Sequence, residues 1–477
     1  MYELLRPLAI RCCAAAAVLV TGLPLVPAVL AAELPARTFF GITPMSQAGM
    51  ADASTEHPGL VVDAVAADST AVSLGIEPGD RINSINGDPV ASYEALVEFL
   101  SELTVGTALQ VSVTRGSESL DLEGALQARP RESSEAFEVI YGAVDVGTVD
   151  RPSVVRNITY RPPNATAESP QPAVFHIQGY TCSSIDYAFM PELTLNQIMV
   201  TLAEAGYVVV KQEKPGVGDS AGPDCADIDF DTELAAFSAG LEALKAMPFV
   251  DADHVHIFGH SLGGVQAPLL ARDHAIKSII AYGATVDSWR DYMLDIYGKQ
   301  SLIMGVSEEQ AAQNRSMIKP LIDAWLTTDR PWQDILADPA LQPALSSGLL
   351  PVEGERVFGR SYQFFRGLNQ FDLVETWREI DSHALAMHGS LDIQAIDSAW
   401  TDALVEIVNN PPERIGEAVI LENAEHAFLV FESRQDQMTA LADGSYSPGQ
   451  PGDRYDTRAA EAMLTWLNRF SPVQRSQ

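Results

Sequence analysis

The chain predicts an α/β fold: a doubly wound, mostly parallel sheet over residues 137–473, preceded by a smaller β-rich unit over residues 37–130. Three observations carry this. From residue 173 onward, continuous apolar runs of strand length alternate with amphipathic helical stretches, the pattern of strands buried on both faces. One of those runs ends in Gly259-His260-Ser261-Leu262-Gly263, a serine boxed by glycines between a strand and a helix. Residues 286–377 break the alternation with a helical, aromatic-rich stretch too long for an ordinary crossover, which reads as an inserted cap.

The composition is strongly acidic, with 64 Asp and Glu against 30 Lys and Arg and a formal net charge of −34. Bulk-charge binding to nucleic-acid phosphates or to anionic membranes is excluded on that balance. Residues 1–32 have the make-up of an export signal. Arg6 and Arg11 come first, then an apolar run to Leu30, then small residues around Ala31 and Ala32 suited to cleavage. No later segment is long and apolar enough to span a bilayer. The expectation is a secreted or periplasmic chain.

The first unit is punctuated clearly. Residues 59–65 read as a strand, residues 69–76 as a short helix closed by Gly75, and Glu77-Pro78-Gly79-Asp80 as a turn. Residues 81–85 alternate as a strand into an Asn86-Gly87 hairpin turn. Residues 93–103 have helical spacing, with Leu96, Phe99, Leu100 and Leu103 on one face. The run Leu74-Gly75-Ile76-Glu77-Pro78-Gly79-Asp80 resembles the core of a bacterial, circularly permuted PDZ domain, which is small and β-barrel-like. The resemblance implies a peptide groove beside Phe40, Gly41 and Ile42, where backbone amides receive the C-terminal carboxylate of a protein partner.

Residues 130–136 are polar and read as a linker. Residues 137–146 and 153–160 follow as two strands, and then strands near 173–177, 207–212, 254–258, 278–281, 383–387 and 418–421 alternate with helices, closing with a helix at 458–470.

A serine hydroxyl needs a base to take its proton, and that base needs an acid to orient it. Ser261 sits where a tight glycine-lined turn would expose its hydroxyl. Downstream histidines are His274, His383, His388 and His426. His426 lies on the loop after the last strand, where a base can reach a serine at a neighbouring strand end. Asp392 lies in the turn after the strand at 383–387, with Asp397 as the rival acid. The order serine, acid, histidine then selects Ser261, Asp392 and His426. An oxyanion hole needs two backbone donors. Leu262 and Tyr180 fit, the latter from the Gln178-Gly179-Tyr180 loop after a strand.

Those residues, with Lys214-Pro215-Gly216-Val217-Gly218-Asp219-Ser220, His388-Gly389-Ser390-Leu391-Asp392 and Glu425-His426-Ala427-Phe428, resemble the α/β-hydrolase superfamily in its serine aminopeptidase and esterase-like branch. Gln178 departs from the histidine common at its position. The fold that this implies puts Cys182 and Cys225 on loops at one sheet end, so an exported chain is expected to join them in a disulfide. Neither H-E-x-x-H nor a cysteine cluster is present, so no metal and no organic cofactor is expected. The reading is an exported serine hydrolase of small or lipid-like carboxylic esters. The alternatives are a peptidase of short peptides and a non-catalytic binding protein working through the PDZ module.

Overall fold

A computed structural model describes residues 30–31, 34–45, 59–147 and 152–473. The segment with the make-up of an export signal lies outside the described residues, apart from Leu30–Ala31, which pairs with an edge strand of the large sheet.

In the N-terminal unit the strands Ile42–Pro44, Leu60–Val65, Arg81–Ile85, Ala108–Arg115 and Glu118–Ala125 lie side by side in that order, antiparallel throughout. Alternation sets the faces: Leu109, Val111 and Val113 point inward and their neighbours outward. Two helices, Thr70–Leu74 and Tyr93–Ser101, close the core, which contains Val62, Ala71, Ile82 and Leu96. Gly75 ends the first helix in the left-handed region at φ 78°, a conformation glycine enters without steric cost. Buried Asp80 of the Pro-Gly-Asp turn accepts from the Glu77 amide and binds Arg115, tying the turn to the hairpin.

The second unit is built on eight main strands: β1 (Glu138–Asp145), β2 (Val154–Arg161), β3 (Gln171–Ile177), β4 (Val208–Gln212), β5 (Val250–His260), β6 (Ser278–Tyr282), β7 (His383–Gly389) and β8 (Gly416–Leu421). Their spatial order is 1-2-4-3-5-6-7-8. The β1–β2 and β2–β4 pairs are antiparallel and the rest parallel. The central strands have apolar side chains on both faces because helices cover both. Phe175 and Ile177 face the layer of helices Phe230–Lys245, Leu262–Asp273 and Ala399–Val408. Val174, Val209 and Phe258 face Thr194–Glu204 and Thr457–Phe470.

The chain between β6 and β7 forms the insertion. It has helices such as Trp289–Asp295, Glu308–Leu326 and Tyr362–Leu368, and a small antiparallel sheet of Val352–Glu353, Arg356–Val357 and Arg360–Ser361. Its aromatic residues form a core of their own around Trp325, Trp332, Phe364 and Phe365. That core continues onto Leu262, Val265 and Leu269 of the helix that follows the serine.

The linker is anchored rather than free. Glu132 accepts from buried Lys211 Nζ at 2.7 and 2.8 Å, from the Tyr160 hydroxyl and from the Tyr187 amide. The two units also touch directly. Phe39 packs on Phe189 with ring centroids 4.5 Å apart, and Arg129 lies 5.0 Å over the same ring.

Candidate active site

Ser261 occupies the turn between β5 and the helix Leu262–Asp273, at φ 57° and ψ −124°. A non-glycine residue with positive φ is strained, and the surrounding packing holds it there. A Cβ on Gly259 would lie 2.4 Å from the Gly263 carbonyl oxygen, and one on Gly263 would lie 2.1 Å from the Ile177 oxygen. Both obstacles are backbone, so the glycines on either side of the serine are what permit the turn. The Ser261 amide donates to the Tyr282 carbonyl at 2.8 Å, pinning the elbow to β6.

The loop after β3 passes beside the serine. A Cβ on Gly179 would stand 3.2 Å from Ser261 Cβ and 3.5 Å from its Oγ. Leu262 is buried and is the first residue of its helix, a position whose N–H has no acceptor within the helix. Tyr180 is 38% exposed, with its carbonyl held by Arg360.

His426 and Asp392 come together from loops after β8 and β7. His426 Nδ1 donates to Asp392 Oδ2 at 2.6 Å, and both side chains are buried. That bond fixes the tautomer and leaves Nε2 free of the proton. The other oxygen of Asp392 accepts the amides of Gln394 and Ala395 at 2.7 and 2.8 Å. Burial alone would raise the Asp392 pKa, but the His426 charge and hydrogen bond outweigh it and hold the pKa low. Burial likewise opposes the His426 cation, and Asp392 overcomes it, so the His426 pKa is raised.

Asp397, the rival acid, is turned away and pairs with Lys299 at 2.7 Å. The other histidines have structural partners. His388 Nε2 donates to the Ala395 carbonyl, His274 bonds Ser238, and His383 Nδ1 accepts the Ile415 amide. His176 lies fully buried in β3, where burial pushes its pKa down to about 4.

Several supporting contacts are not legible in the sequence. His260 precedes the serine, and its Nε2 donates to the His426 carbonyl at 2.9 Å. Glu425 accepts the amides of Ala427 and Leu429, folding the loop that carries His426. Lys214 lies inside a stretch the sequence had marked, but its contacts to Gly179 and Glu233 needed the fold.

Cys182 and Cys225 form a disulfide between the loops after β3 and β4, on the side of the sheet that carries Ser261. Among the described residues no group of three His, Cys, Asp or Glu side chains is placed to hold a metal ion.

In the N-terminal unit, Phe40, Gly41 and Ile42 border a groove of about 990 Å³, whose far wall includes Tyr93 and Val97. Gly41 sits at φ 78°, and a Cβ there would come within 2.2 Å of Ser69 Cβ. The Phe40 and Ile42 side chains are buried in the core, while Tyr93 and Val97 are exposed.

Residues 41–126 match the family model of the PDZ domain. A Schizosaccharomyces pombe protein named as a dipeptidyl aminopeptidase is 25% identical over 163 residues, 33% of this chain and 18% of that protein. The periplasmic serine endoprotease DegP of Escherichia coli K12 is 33% identical over 88 residues, 18% of this chain and 19% of its own. The chain thus spans less than a fifth of the length of either relative. Among solved structures, Est1E from Butyrivibrio proteoclasticus is similar over 69% of this chain and 99% of its own, at 15% identity and a TM-score of 0.39. Residues 175–442, more than half of the chain, match the family model of the alpha/beta hydrolases, and the chain belongs to that family.

Proposed function

We propose that this chain is an exported serine hydrolase that cleaves carboxylic esters through an acyl-enzyme. The observation that carries the reading is the buried His426–Asp392 pair at 2.6 Å, on the sheet end where Ser261 stands in a strained elbow. In the reaction, Ser261 Oγ attacks the ester carbonyl carbon while His426 Nε2 accepts its proton. Asp392 holds the imidazole and stabilises the imidazolium. The amides of Leu262 and Tyr180 donate to the oxyanion. His426 then protonates the departing alcohol, and water, deprotonated by the same histidine, releases the acid.

The ester reading is supported by the apolar, aromatic insertion, whose core of Trp325, Trp332, Phe364 and Phe365 continues onto the helix that follows Ser261. Export is supported by the signal-like N-terminus and by the disulfide. The groove beside Phe40, Gly41 and Ile42 takes a protein C-terminus as its ligand.

A panel of nitrophenyl esters set against aminoacyl anilides tests the substrate class. Ester turnover that is lost in Ser261→Ala, together with loss of labelling by a fluorophosphonate, is the expected result. Turnover of anilides alone overturns the ester reading. Equal labelling of wild type and Ser261→Ala removes Ser261 as the nucleophile.

A further inference from the structure

Lys214 follows β4, and its ammonium is fully buried. A buried ammonium must be paired and hydrogen-bonded to be tolerated. Its partners are specific. Nζ donates to the Gly179 carbonyl at 2.6 Å and stands 3.2 Å from Glu233 Oε1. Glu233, on the helix Phe230–Lys245, is itself buried and holds a second cation, with Arg360 Nη2 at 2.8 Å from Oε2. Gln266, from the helix after the serine, donates to Glu233 Oε1 at 2.9 Å. The other arm of Arg360 donates to the Tyr180 carbonyl at 2.7 Å, and its guanidinium lies 3.8 Å over the Phe364 ring.

The Gly179 carbonyl and the Tyr180 N–H are the two ends of one peptide group. That bond is trans, so the C=O and N–H bonds point in opposite directions. Whatever holds the oxygen sets the direction of the N–H. Gly179 brings the backbone close to Ser261, but a glycine leaves the peptide plane free to rotate. We infer that Lys214 is a positioning residue for acyl transfer, which orients and polarises the Gly179–Tyr180 peptide so that the Tyr180 N–H serves as an oxyanion donor. The inference rests on the proposed serine-hydrolase reading. Three elements meet in the device: Lys214 from the β4 loop grips the first carbonyl, Arg360 from the insertion grips the second, and Glu233 holds both cations.

An acceptor bound to an ammonium withdraws density from its amide, and the N–H at the far end becomes a stronger donor. One carboxylate also faces two cations, so the cluster carries a positive excess beside the place where negative charge develops. The charged groups facing Lys214 are Glu233 on the helix and Arg360 from the small sheet of the insertion. Burial lowers the Lys214 pKa; Glu233 raises it and Arg360 lowers it further, leaving it at about 8.

The test is Lys214→Met, assayed for steady-state kinetics on a nitrophenyl ester from about pH 7 to 9.5 beside wild type and Ser261→Ala. The expected result is a kcat lower by roughly tenfold or more with KM within about twofold, the mark of a lost transition-state contact. The wild-type kcat is expected to fall above about pH 8 as Lys214 loses its proton, and the variant to lack that limb. A folded Lys214→Met with kcat within about twofold of wild type and the same pH profile overturns the inference. If Lys214→Met does not fold, the same kinetics on Lys214→Gln decide: a kcat lower by roughly tenfold with KM within about twofold supports the inference, and a kcat within about twofold of wild type overturns it. Ser261→Ala separates the two layers. Full turnover in that variant sinks the nucleophile reading itself, whereas an inactive Ser261→Ala beside an unaffected Lys214→Met sinks only the positioning role.

Discussion

His260 Nε2 donates to the backbone carbonyl of His426 at 2.9 Å, so the residue just before the serine fixes the main chain of the proposed base. Burial, reinforced by the His426 charge, drives the His260 pKa down to about 3. Its ring is therefore neutral in ordinary buffers, and the proton it offers does not come and go with pH. The ring also stacks on Tyr282, 5.8 Å between centroids, whose hydroxyl donates to the Glu425 carbonyl. Replacing His260 with Phe keeps an aromatic ring there and removes the donor. The expected outcome is a loss of about 1–2 kcal/mol of stability and roughly tenfold in kcat. Urea denaturation and steady-state ester kinetics check it.

The Asp392–His426 pair predicts how Asp392→Asn will behave. Without the carboxylate, His426 loses the charge and hydrogen bond that raise its pKa, so the acid limb of kcat/KM moves to lower pH. The imidazole also loses its fixed tautomer, and kcat is expected to fall by about 10⁴. The stability effect has its own sign. A raised imidazole pKa stabilises the fold below its unfolded value, and the contribution fades as pH rises through the folded one. A lowered carboxylate pKa stabilises above its unfolded value, and the contribution fades as pH falls through the folded one. The stability gap between wild type and Asp392→Asn should therefore be widest between about pH 4 and 6.5. Urea midpoints measured across pH check this, and a gap that widens above that range contradicts it.

Glu132 leaves Lys211 without its direct carboxylate partner if it is replaced by Gln. Lys211 is fully buried, and burial already pulls its pKa down to about 8. Removing one member of a buried pair costs about 3–5 kcal/mol. The expected outcome is a lower urea midpoint for Glu132→Gln, with the main loss in the unit that holds Lys211. A midpoint within error of wild type contradicts the anchoring role.

The disulfide closes a chain segment with a sequence separation of 43 residues. Chain entropy puts its contribution at about 4 kcal/mol. Cys182 lies two residues after Tyr180, so opening the bond also loosens the loop beside the serine. Reductant is expected to lower the denaturation midpoint and, at temperatures where the chain stays folded, to reduce kcat more than it raises KM. Paired melts and kinetics with and without reductant check both.

Much of this architecture was legible in the sequence because it depends on local patterning. Continuous apolar runs mark strands buried on both faces, and the parallel core from β3 to β8 follows from them. The glycines around Ser261 mark a turn because neighbouring backbone leaves no room for a Cβ, a constraint written into residue type. The order of serine, acid and histidine likewise picked out the side chains whose pairing the fold reveals as Asp392 with His426.

Other features depended on charges that meet only in three dimensions. Lys214, Glu233 and Arg360 come from three separate elements, and nothing in their local sequence shows that they meet. Their burial is stable only because the fold brings two cations to one carboxylate and two carbonyls. The stretch around Glu132 reads as a polar linker, and it is anchored because Lys211 lies buried beneath it. The small sheet carrying Arg360 consists of two-residue strands, too short to leave a periodic signal. The sequence by itself determined the sheet, the strained serine and the candidates for its partners, since those follow from periodicity and steric room. Only the tertiary structure decided which carboxylate faces His426, which cation grips the Gly179 carbonyl and how the two units touch, because pairwise electrostatics depends on distance and burial.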